Sequence, residues 1–133
     1  MQNKLLGLDV GERRIGVSIG DDRVKIASPL ITINVDGKEI DIIKQLIADH
    51  GVSTMVVGYP RNQSGDITEQ TRLVELFADK LRGLGPKLVF SDESVTSVLA
   101  EQRLVGYNKP YTKADIDAQA ATIILQDYLN ESH

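Results

Sequence analysis

The chain has no cysteine and only two histidines in its 133 residues. Without cysteine there are no disulfides to hold the fold and no thiolate to act as nucleophile or metal ligand. Imidazole has little part either, because His50 precedes Gly51 at the end of a helical pattern and His133 lies in the terminal residues. No apolar run approaches the roughly 20 residues of a membrane helix, and Met1-Gln2-Asn3-Lys4 leads into a strand pattern without the apolar core of a signal peptide. A cytoplasmic protein with no membrane partner is expected. There is no Walker-A or dinucleotide glycine pattern, no internal repeat and no low-complexity segment. A basic excess is missing too: the formal net charge is -4, which does not advertise binding to nucleic acid by electrostatics alone. Nucleic acid is not thereby excluded. Acids gathered at a metal site would be offset by cations, and Arg13, Arg14, Arg61, Arg103, Lys109 and Lys113 are either a local basic rim or scattered solubilising charge.

What remains is ordinary for a soluble globular chain, 41% hydrophobic and 26% charged, and the length predicts one domain over residues 1–133. Leu5 to Val10 is apolar on both faces except at Asp9, and Ile15, Val17 and Ile19 alternate with small or polar residues, so a buried strand turns at Gly11 into a second. Val24 to Ile33 predicts a third strand, and Pro29 inside it points to a sheet edge. Asp36 and Glu39 stand at N-cap and N3 spacing before a helix with Ile40, Ile43, Leu46 and Ile47 on one face. A short strand at Thr54–Val57 follows, then a loop over 59–65. A helix capped from Asp66 carries the stripe Leu73, Leu76, Phe77, Leu81 and Leu84, and a strand over 87–91 comes next. A third helix starts at Val95, Val98 and Leu99. Right-handed crossovers make the later strands parallel to the first, which predicts an α/β fold: a five-stranded mixed sheet, three antiparallel strands then two parallel, with helices on both faces.

The last helix is capped by Thr112 with Asp115. Asp115, Gln119, Thr122 and Gln126 share a polar face, whereas Asp117 shares its face with Ala120, Ala121, Ile124, Leu125 and Tyr128 and is expected to point inward. Asp9 is a carboxylate in an apolar strand, which costs several kcal/mol unless it is paired, hydrogen-bonded or metal-bound. It is either a cap of the Gly11 turn or a ligand. Sites in open sheets lie at the carboxyl ends of the parallel strands, where Asp9, Glu93 after the fifth strand and Asp117 would meet. Three acids that close need a cation between them, and all-oxygen donors favour Mg²⁺ or Mn²⁺, in a two-ion arrangement suited to phosphodiester hydrolysis.

Four separated motifs carry a family resemblance across nearly the whole chain. They are Leu6-Gly-Leu-Asp-Val-Gly11 with Arg14-Ile-Gly-Val17; Val56-Val-Gly-Tyr-Pro-Arg-Asn62 with Gly65 and Thr68; Asp92-Glu93 with Ala100-Glu101; and Asp117-Ala-Gln-Ala-Ala121 with Ile124-Leu-Gln126. The chain resembles the YqgF/RuvX family, described as Holliday junction resolvases and as pre-16S rRNA nucleases, within the ribonuclease H-like fold. The resemblance implies a metal-dependent nuclease acting on structured nucleic acid. The expected substrate is the 5′ end of pre-16S rRNA in ribosome biogenesis, with a four-way DNA junction as the alternative. It puts the metal-binding, catalytic acids on Asp9, Glu93 and Asp117, and substrate contacts on Arg14, Arg61 and Asn62. Ser94 stands where the family usually has arginine. Asp92 is the neighbour to be told from Glu93, since successive strand residues point opposite ways. An RNA-trimming enzyme works as a monomer and a resolvase as a dimer, so a monomer or weak homodimer is expected. Two rivals are an ATP-handling fold with an Asp-x-Gly hairpin, for which the chain is short, and a non-catalytic nucleic-acid-binding module with structural acids.

Overall fold

A computed structural model describes residues 3–60, 68–93 and 96–131, without the side chains at 93, 96 and 97. The strands are β1 (Lys4–Val10), β2 (Arg14–Asp21), β3 (Ile26–Asn34), β4 (Val52–Pro60) and β5 (Lys87–Glu93). They form one sheet in the order β3-β2-β1-β4-β5, with β1, β2 and β3 antiparallel and β1, β4 and β5 parallel. The helices are α1 (Glu39–His50), α2 (Glu69–Leu81), α3 (Thr96–Gly106) and α4 (Lys113–Asn130). No helix among the described residues is long and apolar enough to cross a membrane.

Strand alternation divides the core. Leu6, Leu8, Val10, Met55 and Val57 face α1 and α2, where Ile43, Val74, Phe77 and Leu81 meet them. Leu5 and Val56 point the other way, onto Ile124, Leu125 and Leu129 of α4. On its outer side α4 packs Ala120 and Ile123 against Ala100 of α3. The sheet thus has helices on both faces, as expected.

Several local expectations shift. The third strand starts at Ile26 rather than Val24, because Lys25 takes φ 60° and its N–H closes a turn on the Asp21 carbonyl at 2.8 Å. Pro29 does lie on an edge strand, where a register shift between Val17 and Ser18 accommodates it. Asp36 is not the N-cap of α1. Lys38 holds that position without a side-chain bond, while Asp36 and Glu39 accept backbone N–H groups within residues 36–38 and tie the preceding turn. Thr68 caps α2, its side chain accepting from the Thr71 N–H; Asp66 lies outside the described residues. Val95 lies outside them as well. Leu76, Val98 and Leu99 are exposed, and their helices bury Thr71, Val74, Ala78 and Ala100 instead.

The Thr112–Asp115 capping box forms as expected and leaves Asp115 exposed. The polar face of α4 is not a solvent face, however. Gln119 and Thr122 are each 4% exposed, since a helix held between a sheet and α3 has little free surface. Thr122 satisfies its hydroxyl on the Ala118 carbonyl. Gln126 reaches the sheet edge, accepting the Ala27 N–H at 2.9 Å and donating to the Lys25 carbonyl at 2.9 Å. Gln126→Ala leaves a part-buried N–H of β3 without that partner and is expected to cost about 1–2 kcal/mol, read as a lower urea midpoint with an unchanged slope.

Candidate active site

Asp9 is the next-to-last residue of β1 and stands in register with Gly16 of β2. The turn between these strands is closed by the Gly11 N–H on the Arg14 carbonyl at 3.0 Å, so the backbone itself does what a capping Asp9 would have done. Asp9 instead lines a narrow cleft with Gly58, Pro60, Gln70 and Ile124 at the carboxyl ends of β1 and β4. Gln70 closes one side of it by donating to the Val10 carbonyl at 2.7 Å.

Asp117 arrives from above, in the second turn of α4. A Cβ on Gly16 would sit 1.9 Å from the Asp117 carbonyl oxygen, so only a glycine lets the helix come down here. Gly7, Gly20 and Gly58 make the same allowance further along, against Ala121, Leu125, Leu129 and Ile124. This glycine floor escaped the sequence reading. The signal was available as glycines inside strand patterns, which mark a close approach of another segment, but choosing the segment needs the register of two hairpin strands and the position of α4.

Asp9 and Asp117 therefore come together through Gly16. The Asp9 carboxyl is pushed up from 3.8 to about 6, first by burial and then by the negative charge of Asp117. Asp117 is itself part-buried, and its Oδ2 accepts from Arg14 Nε at 2.6 Å. Arg14, expected to touch substrate, is thus engaged with one of the acids.

Glu93 ends β5 in backbone register with Pro60, and its side chain lies outside the described residues. Asp92 is exposed and lines a groove of about 400 Å³ on the α2 side with Tyr59, Arg82 and Phe90, away from the cleft. Arg61, Asn62 and Ser94 lie outside the described residues. Among the described residues no three His, Cys, Asp or Glu side chains gather as a metal cluster; of the three expected acids, Asp9 and Asp117 are close enough for the charge of one to raise the other. Their chemistry suits a hard divalent cation: both are oxygen donors, and each is an unfavourable neighbour for the other until positive charge stands between them.

A family model described as RuvX, Holliday junction resolvase, matches residues 3–131. A protein of Chloroflexus aurantiacus named "Putative pre-16S rRNA nuclease" is 47% identical over 131 residues, covering 95% of this chain and 86% of its own length. Among solved structures, T. thermophilus RuvC in complex with Holliday junction substrate aligns with a TM-score of 0.57 at 15% identity, over 96% of this chain and 93% of that one. The Fowlpox virus resolvase in complex with Holliday junction DNA aligns with a TM-score of 0.56 at 10% identity, over 95% and 96%. The fold is ribonuclease H-like, as these structures share it.

Proposed function

The chain belongs to the RuvX family of Holliday junction resolvases, and we propose on that premise that it is a metal-dependent nuclease whose Asp9, Glu93 and Asp117 hold Mg²⁺ or Mn²⁺ against a phosphodiester. The observation that carries this reading is the pairing of Asp9 with Asp117 at the carboxyl ends of the parallel strands, with the Asp9 carboxyl raised to about 6. Asp92 lines the α2-side groove, away from the cleft, which counts against it as the third acid and leaves Glu93, the next residue of an alternating strand, as the one we propose. A divalent ion held by these acids would supply Lewis acidity, making a water more acidic and offsetting charge on the departing 3′ oxygen. The chain's own part is to hold hard oxygen donors on rigid elements, with β1 fixing Asp9 and the capped α4 fixing Asp117. Arg61 and Asn62, next after β4, are the proposed contacts to substrate phosphate.

The substrate we favour is the 5′ end of pre-16S rRNA, because relatives 37–47% identical carry names of that kind. The family description and the junction-bound structural neighbours favour a four-way DNA junction as the second reading. Labelled pre-16S rRNA and a labelled four-way junction, incubated in parallel with Mg²⁺ or Mn²⁺, separate the two. The RNA is expected to be cut by the wild type and by Asp115→Asn, with a loss of about 10²–10³-fold in Asp117→Asn, the size expected when a group acting on the reacting charge is removed. Cleavage of the junction alone would select the second reading. Failure to cut either substrate while no divalent ion binds would leave the non-catalytic module.

A further inference from the structure

The only cation among the described residues that the structure puts on Asp117 is Arg14, and its bearing is unusual for a substrate contact. Arg14 opens β2 directly after the Gly11 turn; its carbonyl is pinned by the Gly11 N–H, and the neighbouring Arg13 carbonyl by the Val35 N–H at 2.9 Å. The guanidinium is therefore presented by a rigid hairpin. Its Nε lies 2.6 Å from Asp117 Oδ2, a charge-assisted bond, with Arg14 35% and Asp117 22% exposed at the side chain. Asp117 thus stands between a positive neighbour, Arg14, and a negative one, Asp9.

We propose that Arg14 is a resident counter-cation, which occupies Asp117 when no divalent ion is bound and weakens the binding of that ion by competing for the same carboxylate. The inference rests on the reading of Asp9 and Asp117 as metal ligands and adds to it what sets the affinity. A fixed unit charge beside a ligand lowers the attraction of the site for any incoming cation, and in a part-exposed site the effect is on the order of tenfold in affinity. The same charge relieves the acid pair in the metal-free protein, so one residue makes the empty site tolerable and the filled site labile. An arginine edge committed to a carboxylate is also not offered to a phosphate.

Calorimetric titration of Mn²⁺ into the metal-free wild type, Arg14→Gln and Arg14→Lys tests this without any turnover. Arg14→Gln is expected to bind Mn²⁺ about tenfold tighter, to melt at a lower temperature without metal and to gain more on adding it; Arg14→Lys, which keeps the charge, is expected to stay near the wild type. Weaker binding in Arg14→Gln would overturn the proposal and make Arg14 an orienting residue. Unchanged binding with a raised KM for nucleic acid would overturn it in favour of a substrate contact. If the wild type binds no Mn²⁺, the metal-site reading falls as well, which distinguishes the two failures. Should Arg14→Gln not fold, the wild type still decides: the ¹⁵N resonance of Arg14 Nε is expected to move during a Mg²⁺ titration, with the same midpoint as the rise in melting temperature. A resonance that stays in place would overturn the proposal.

Discussion

Asp9→Asn is expected to make the metal-free protein more stable at pH 8 while abolishing its cleavage of nucleic acid. Burial and the charge of Asp117 raise the folded-state carboxyl to about 6, against 3.8 for an unperturbed aspartate. A raised carboxyl binds its proton more tightly in the native chain than in the unfolded one. The stability it contributes is therefore complete below pH 3.8 and is lost as the pH rises through about 6. Above that pH the wild type carries an ionised, poorly solvated carboxylate, with a penalty of about 2–3 kcal/mol from the shift, and the asparagine variant escapes it. Urea unfolding from pH 4 to pH 8 without divalent ions is the measurement. The two proteins are expected to converge near pH 4 and to separate above pH 6, with the variant ahead. Mg²⁺ is expected to raise the wild-type melting temperature and close most of the gap, and to leave Asp9→Asn nearly unmoved. A variant less stable than the wild type at pH 8 would mean that Asp9 has a structural partner after all. In Asp117→Asn the Asp9 carboxyl is expected to fall only part of the way back, since burial is the larger cause and remains.

Gly16→Ala is expected to be the most damaging single methyl group at any glycine among the described residues. The added Cβ would lie 1.9 Å from the Asp117 carbonyl oxygen and 2.3 Å from its carbon, with backbone rather than a yielding side chain on the far side. Either β2 or the start of α4 must move by more than an ångström, which costs about 3 kcal/mol or more. The displacement carries Asp117 away from Asp9, so divalent-ion affinity is lost in whatever fraction still folds. Gly83→Ala provides the contrast, because nothing lies within 4 Å of its added Cβ and its φ is not positive. It is expected to leave stability within about 1 kcal/mol of the wild type or slightly above it. Thermal melts and Mn²⁺ titration of both variants check the pair; equal effects would show that the close approach of α4 is not what Gly16 permits.

Much of this architecture was legible in residue order. Pro29 marks the sheet edge, the apolar runs around Leu8 and Val56 mark the central parallel strands, and Thr112 with Asp115 marks the start of α4. Asp9 was legible for a single physical reason, a charge in an apolar strand. What failed was the inference from polarity to solvent: Gln119 and Thr122 are buried because α4 is covered twice, by the sheet and by α3, and helical periodicity in one segment carries no knowledge of a second cover. The reverse error put Leu76 in the apolar stripe of the second helix, although it is exposed. The Arg14–Asp117 bond was beyond reach for a different reason. It depends on hairpin register and helix depth together, neither of which is a property of any local stretch.

The site unites an early strand with a late helix, and this has a temporal side. A ribosome adds about 5–20 residues each second, so Asp9 leaves the peptidyl transferase centre roughly 5–20 s before Asp117 is made. Until α4 has emerged and settled on its glycines, the growing polypeptide has only part of its acid pair. If Asp9 and Asp117 hold the metal as proposed, a nascent chain is expected to stay incompetent beside the RNA-rich machine that is making it, and to gain activity only when translation has passed the last helix.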